Sequence, residues 1–221
     1  FIHAGLDNDA KVNVKWIDTE ELEQTMDFKK FNDIDGILIP GGFGNRGIEG
    51  KILSVQYARE HNIPFLGICL GMQCAVIEFA RNVCNLKKSN STEFDEKTKV
   101  PVIDLMLSQK KIKDKGATMR LGKYSCSLSK SSNAYTAYKA ATINERHRHR
   151  YEFNNKYRDV LKKKGLLITG VNKKLDLVEI VEIKNHNWFV GVQFHPELKS
   201  RIVKVHPLFK DFISATIKFK S

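Results

Sequence analysis

The stretch Pro64-Phe65-Leu66-Gly67-Ile68-Cys69-Leu70-Gly71 constrains this chain more than any other. An apolar run meets a cysteine framed by glycines, and a helical pattern starts at once. Met72, Val76, Phe79 and Val83 then share one helical face. A strand that turns this sharply into a helix has no room for a bulky Cβ in the turn, which is why glycine stands on either side. Gly67-x-Cys69-x-Gly71 has the layout of a nucleophile elbow with cysteine in the serine position. Such a turn exposes the sulfur at the carboxyl end of a strand, where α/β sheets bind ligands. It also places the sulfur at the start of a helix, whose dipole favours a thiolate. The plainer fate of a free cysteine is a buried, inert side chain. Cys74 and Cys84, farther along the helix pattern, read that way, and Cys126 is left undetermined.

The same strand-to-helix alternation precedes this elbow. Residues 11–17, KVNVKWI, alternate like a strand, and Asp18 with Glu21 resembles a capping box opening a helix. Residues 35–40, DGILIP, form a short apolar strand before a glycine-rich loop, and Ile52, Val55 and Ala58 have helical spacing. Apolar strands alternating with helices predict an α/β fold, with a mostly parallel central sheet flanked by helices in three layers. Farther on, TKVPVIDLM, GATMRLGKYSCSL, GLLITGV, LDLVEIVEI and NWFVGVQF are strand candidates, and PLFKDFISATIKF closes the chain as a helix. No repeat or linker divides the sequence, so residues 1–221 are read as one domain.

Composition narrows the class. With 221 residues and 42% hydrophobic content, the chain can bury one sizeable core. No apolar run approaches the roughly 20 residues of a membrane helix, and the first residues lack the layout of a signal peptide. They also lack an initiator methionine and read as the tail of a helix, so a fragment of a longer protein is expected. Four cysteines without a CxxC pair fit a reducing, cytoplasmic setting better than a disulfide framework. The formal charge of +12 comes mostly from lysines spread along the chain, among them Lys87-Lys88, Lys110-Lys111 and Lys173-Lys174. No aromatics interleave with them as on a base-stacking surface, so a solvated face is expected rather than a nucleic-acid partner.

Two further motifs bear on chemistry. Gly42-Phe43-Gly44-Asn45-Arg46-Gly47 matches G-x-G-x-x-G after a strand. Pro40 and Gly41 lengthen its turn, however, and no acidic ribose ligand ends the next strand. It reads instead as a loop whose backbone N–H groups meet an anionic oxygen. Near the end of the last apolar strand stands Gln193-Phe194-His195-Pro196-Glu197. A cysteine nucleophile needs a base and an orienting group. With residues 195–197 extended, Glu197 would hold the His195 imidazole in the correct tautomer. His147 and His149, two apart in RHRHR, have no companion ligands in sequence and are not read as a metal site; the run could also form an anion patch.

PGGFGNRG, PFLGICLGMQ, NSTEFD, GATMRLG, ERHRHRYEFN and QFHPE, in that order, resemble the glutamine amidotransferase domain of the CTP synthase family. The elbow and His-x-Glu are shared by class I amidotransferases generally, whereas NSTEF, MRLG and RHRHRYE resemble the CTP synthases specifically. The resemblance implies a glutaminase that splits L-glutamine into glutamate and ammonia. Cys69, His195 and Glu197 would form its triad, and Gly42 and Leu70 its oxyanion donors. Substrate contacts would fall on Gly42, Leu70, Gly71, Met72, Gln73, Glu93 and Arg150, with Glu93 on the α-ammonium and Arg150 on the α-carboxylate. It implies no cofactor in this domain. ATP, Mg and UTP would belong to a synthetase domain of the same polypeptide that is absent here, as are the family domain's first strand and most of its first helix. The full-length protein would be a homo-oligomer, a tetramer. GTP would act as allosteric activator, with Phe43 and Arg46 as candidates to stack on it or pair with it. Competing readings are another class I amidotransferase, serving GMP or carbamoyl phosphate synthesis, and a non-catalytic module of the same fold.

Overall fold

The computed structural model describes residues 1–105 and 119–220. Met106 of TKVPVIDLM, Gly116 to Thr118 of GATMRLG and the Lys110-Lys111 pair lie outside them. The central sheet holds seven strands: β1 (Ile37–Ile39), β2 (Phe65–Ile68), β5 (Arg120–Leu128), β6 (Thr142–His149), β8 (Leu166–Asn172), β9 (Leu177–Ile183) and β10 (Phe189–Val192). Their order is β1-β2-β10-β9-β8-β5-β6. A smaller sheet, β3-β4-β7, joins β3 (Ser89–Ser91), β4 (Val100–Leu105) and β7 (Tyr151–Phe153).

Both β2 and β10 are buried on every residue. Phe65 and Phe189 stack at 4.4 Å between ring centroids and enter one core, with α2 (Thr19–Thr25), α3 (Ile48–Glu60) and α4 (Leu70–Asn82). Leu66, Ile68, Val190 and Val192 enter the other, with α1 (Ile2–Leu6), α5 (Asn133–Tyr138) and α7 (Pro207–Lys220). Each central strand thus feeds two cores at once, which is why it is apolar throughout. One further helix, α6 (Arg158–Lys163), packs against β8.

The expected three-layer α/β fold is present, but the sheet is mixed rather than mostly parallel. β1, β2 and β10 run parallel. The β10–β9, β9–β8, β8–β5 and β5–β6 pairs are antiparallel. Burial is what the composition of a strand reports, and β9 is buried across its five central residues just as a parallel strand would be. Direction is set by the connections, which apolar content does not encode.

One local expectation also changes. Asp18 does cap α2, accepting N–H bonds from Glu20 at 2.9 Å and Glu21 at 3.4 Å. Residues 11–17, however, pair with no strand among the described residues, and Val14 and Trp16 face solvent. Alternation alone does not make a strand, because a ladder needs a neighbour. Conversely, β6 alternates exposed and buried along its whole length, with Ile143, Glu145, His147 and His149 inward and Arg146 and Arg148 outward. Its inward side chains are mostly polar, so a search for apolar periodicity passes over it.

Candidate active site

The site gathers at the carboxyl ends of the parallel strands. Cys69 sits between β2 and α4 as the N-cap residue of the helix, with φ 50° and ψ −99°. That left-handed backbone is costly for a residue with a Cβ and persists only where its surroundings enforce it. Here they do. The Cys69 N–H donates to Val192 O at 2.7 Å, and the Gln73 N–H donates to Cys69 O at 3.1 Å. The flanking glycines are sterically required. A Cβ on Gly71 would lie 2.2 Å from Ile39 O, and one on Gly67 would lie 2.7 Å from the Gly71 carbonyl carbon. The turn closes against β1 only because both side chains are absent.

His195 leaves β10 and is held from two sides. Its N–H donates to Arg146 O at 2.8 Å, which fastens it to β6. Its Nδ1 lies 2.6 Å from Glu197 Oε1. A carboxylate can only accept, so Nδ1 carries a proton, and in the neutral ring this leaves the lone pair on Nε2. That Nε2 is buried and has no hydrogen-bond partner among the described residues. Residues 196–198 form a 3₁₀ turn rather than the extended segment expected, with Pro196 at its start. The turn brings the carboxylate back under the imidazole. It is anchored from behind by Lys199, whose Nζ donates to Asn144 O and Glu145 Oε1, each at 2.7 Å. Burial alone would raise the Glu145 pKa, but hydrogen bonds from His206 and Lys199 hold it below the usual range.

The loop after β1 roofs the site. A Cβ on Gly41 would lie 2.8 Å from His195 Cε1 and 3.6 Å from Cys69 Cβ, so the two side chains flank one point beneath that glycine. Gly41 is a site residue that the sequence reading missed. Its signal was present in the doubled glycine of PGGFG, where one glycine is enough for a turn. The next segment does present an N–H to an anionic oxygen, and that oxygen belongs to Glu93. The Gly44 N–H donates to Glu93 Oε1 at 2.9 Å.

Glu93 follows β3, and its own N–H is held by Ser91 Oγ at 3.1 Å. Burial pushes its pKa up, against the pull of the Gly44 N–H and of nearby Arg150. Arg150 stands at the bend between β6 and β7, half-buried, with an unpartnered Nε. The small sheet therefore brings this acid and base, 57 positions apart in the chain, close to each other. Gly42, Leu70, Gly71, Met72 and Gln73 line the loop and the first turn of α4. Phe43 remains exposed, with the Arg148 guanidinium 5.8 Å from its ring centroid, and Arg46 is paired with Glu20. A cavity of about 380 Å³ opens between Phe43, Arg148, His195 and Glu197.

The thiol is not free to ionise by itself. Burial pushes Cys69 up to about 12, while the Leu70 N–H, donating to the sulfur, pulls the other way. A base must therefore take the proton, and the unpartnered Nε2 of His195 is available for it. Cys74 and Cys126 are buried in the two cores and Cys84 is half-buried. Among the described residues no group of three or more His, Cys, Asp or Glu side chains could hold a metal ion. His147 and His149 are instead engaged inside the fold, through Glu179 Oε2 at 2.7 Å and Tyr151 O at 3.3 Å.

The family model for class I glutamine amidotransferases matches residues 1–215. The chain belongs to the class I glutamine amidotransferases. It is 60% identical over 221 residues to a CTP synthase of Pelodictyon phaeoclathratiforme, covering 99% of this chain and 39% of that one. A CTP synthase of Clostridium acetobutylicum is also 60% identical, over 220 residues, with 99% and 41% covered. The chain thus spans about two fifths of the length of the curated relatives it matches. Among solved structures it superposes on the glutaminase domain of Trypanosoma brucei CTP synthase with bound acivicin. That match has a TM-score of 0.91 and 38% identity, over 98% of this chain and 84% of that one. A likeness in fold alone extends to a GMP synthase protein from Thermoplasma acidophilum, at a TM-score of 0.60 and 19% identity over 98% and 86%. No helix among the described residues is long and apolar enough to cross a membrane.

Proposed function

We propose that this chain is the glutaminase domain of a CTP synthase, with Cys69, His195 and Glu197 as its catalytic triad. The observation that carries the assignment is the His195–Glu197 contact of 2.6 Å, which leaves a buried, unpartnered Nε2 beside an elbow cysteine. In this mechanism His195 Nε2 takes the thiol proton, and the sulfur attacks the side-chain amide carbon of L-glutamine. The oxyanion is met by the backbone N–H groups of Gly42 and Leu70; one such donor is typically worth about 10²–10³ in rate. His195 returns the proton to the leaving nitrogen, which departs as ammonia and leaves a γ-glutamyl thioester on Cys69. His195 then deprotonates a water that attacks the thioester, and glutamate is released.

The substrate's amino acid end fits the other half of the site. Glu93, fixed by the Gly44 N–H, offers a carboxylate to the α-ammonium. Arg150 offers its guanidinium, with an Nε unpartnered among the described residues, to the α-carboxylate, and Gly71, Met72 and Gln73 shape the floor. The ammonia would pass to a synthetase domain of the same polypeptide, where ATP and Mg serve the amination of UTP. GTP activation through Phe43 and Arg46, a tetrameric full-length protein and a cytoplasmic location belong to the same proposal.

The Glu197–His195 contact makes a graded prediction. Glu197→Gln keeps a side chain of the same size but no longer favours the Nδ1–H tautomer. Its kcat for glutamine hydrolysis should fall by up to about 10⁴-fold, the scale found when the orienting acid of a triad is neutralised, with measurable activity remaining. Glutamate release by purified, folded variant is the assay. Wild-type turnover would remove Glu197 from the mechanism.

A further inference from the structure

Gln193 is fully buried just past the strand end, two residues before His195, and is itself neither a triad member nor a proposed substrate contact. Its side chain lies at the end of a directed chain of hydrogen bonds. Tyr151 O is a carbonyl and can only accept, so the Gln73 group 3.1 Å away is its NH₂. The same Gln73 Nε2 reaches Gln193 at 3.5 Å, so the atom facing it is Oε1. The Gln193 Nε2 is thereby turned toward Cys69 Sγ, at 3.7 Å. The orientation of the amide follows from the network, and it aims a donor at the sulfur.

We infer that Gln193 is a positioning residue for the Cys69 thiolate, its amide N–H stabilising the sulfur anion and fixing its place beside His195. This rests on the proposed role of Cys69 as nucleophile. A donor directed at the charged form of a group favours that form, and a chain of donors polarises along its length. The need is specific to this site. The acidic side chains facing the sulfur are Glu93 from the loop after β3, Glu197 from the turn after β10, and Glu152 from β7; each, when ionised, disfavours a second negative charge. The only cation that the triad supplies is His195 once it has taken the proton. Helping it are two fixed N–H donors, Leu70 from the backbone and Gln193 from the end of the neighbouring strand.

The test is the pH dependence of Cys69 alkylation by the chloroketone analogue of glutamine. The sulfur displaces chloride from the analogue, its proton having passed to His195. Gln193→Met keeps the length and removes the donor. Gln193→Asn keeps the donor but withdraws it by one methylene, and disturbs the core less. In both, the midpoint of the rate against pH should move up by about one unit, which is about a tenfold slower reaction at neutral pH. Both variants also disturb the acceptor that Gln193 offers to Gln73, so the concentration of analogue that half-saturates the rate is fitted separately and the pH midpoint alone decides. A merely structural role would leave the midpoint in place, so an unshifted midpoint in either folded variant overturns the inference. Absence of labelling on Cys69 in the wild-type chain is a different outcome. It would overturn the proposed function, and this inference with it.

Discussion

Cys69→Ala is expected to abolish CTP formation from glutamine in a full-length polypeptide carrying this chain, while CTP formation from added ammonium, ATP and UTP continues near the wild-type rate. Removing a nucleophile of this kind costs about 10⁶-fold in kcat, which leaves hydrolysis below detection. The expectation that nothing else fails is structural. Cys69 holds its backbone at φ 50°, and alanine carries the same Cβ, so the substitution adds no strain to the turn. The Val192 and Gln73 backbone bonds that hold the elbow do not involve the sulfur. Loss of ammonium-dependent synthesis in a folded variant would give Cys69 a role beyond glutamine hydrolysis. Retention of glutamine-dependent synthesis would overturn the nucleophile assignment.

The second large effect lies behind the site, in stability. Arg120 is buried and reaches Glu179 Oε1 at 2.6 Å and Glu152 Oε1 at 3.3 Å, with its guanidinium 4.2 Å from the Tyr124 ring centroid. His147 binds the other oxygen of Glu179 at 2.7 Å. Arg120→Met fills much of the same volume but leaves two buried acids without their shared cation. Breaking a buried pair in this way costs about 3–5 kcal/mol. A lower urea midpoint with an unchanged slope is the expected readout. A loss below about 1 kcal/mol would mean that the cluster contributes no more than an exposed pair.

Glu152 adds a pH signature to that cluster. Burial, the largest influence, pushes it up to about 8 despite the opposing pull of Arg120. The folded state therefore binds a proton more tightly than the unfolded chain does. Its contribution to stability is fully present below the ordinary glutamate range and is lost as pH rises toward about 8. In Glu152→Gln that part of the pH dependence should vanish, which the same urea series measured across this range would register.

What the sequence made legible follows from local sterics and short range. The elbow could be read because a strand-to-helix turn this tight demands glycine on both sides of the cysteine, and both glycines do lie against backbone. His195 and Glu197 could be paired because they are two positions apart, although the turn joining them is 3₁₀ rather than extended. Other features depend on tertiary neighbours. The direction of β9 and β8 is invisible in their composition. The same holds for residues 11–17, whose alternation finds no ladder among the described residues. Glu93 and Arg150 look like surface charges in the sequence, and only family resemblance singled them out. Their proximity is made by the small sheet. RHRHR has the composition of an anion patch, yet its histidines point inward and are structural, because the period of a strand sends alternate residues to opposite faces.

In the proposed mechanism Cys69 carries the γ-glutamyl group during turnover. Acid quenching of the wild-type chain during glutamine hydrolysis, followed by peptide mass mapping, tests it directly. A γ-glutamyl adduct is expected on the peptide containing Cys69, in hydroxylamine-labile thioester linkage, and none on Cys74, Cys84 or Cys126. An adduct on one of those three cysteines, or steady hydrolysis with Cys69 unmodified at every quench time and undiminished in Cys69→Ala, would contradict it.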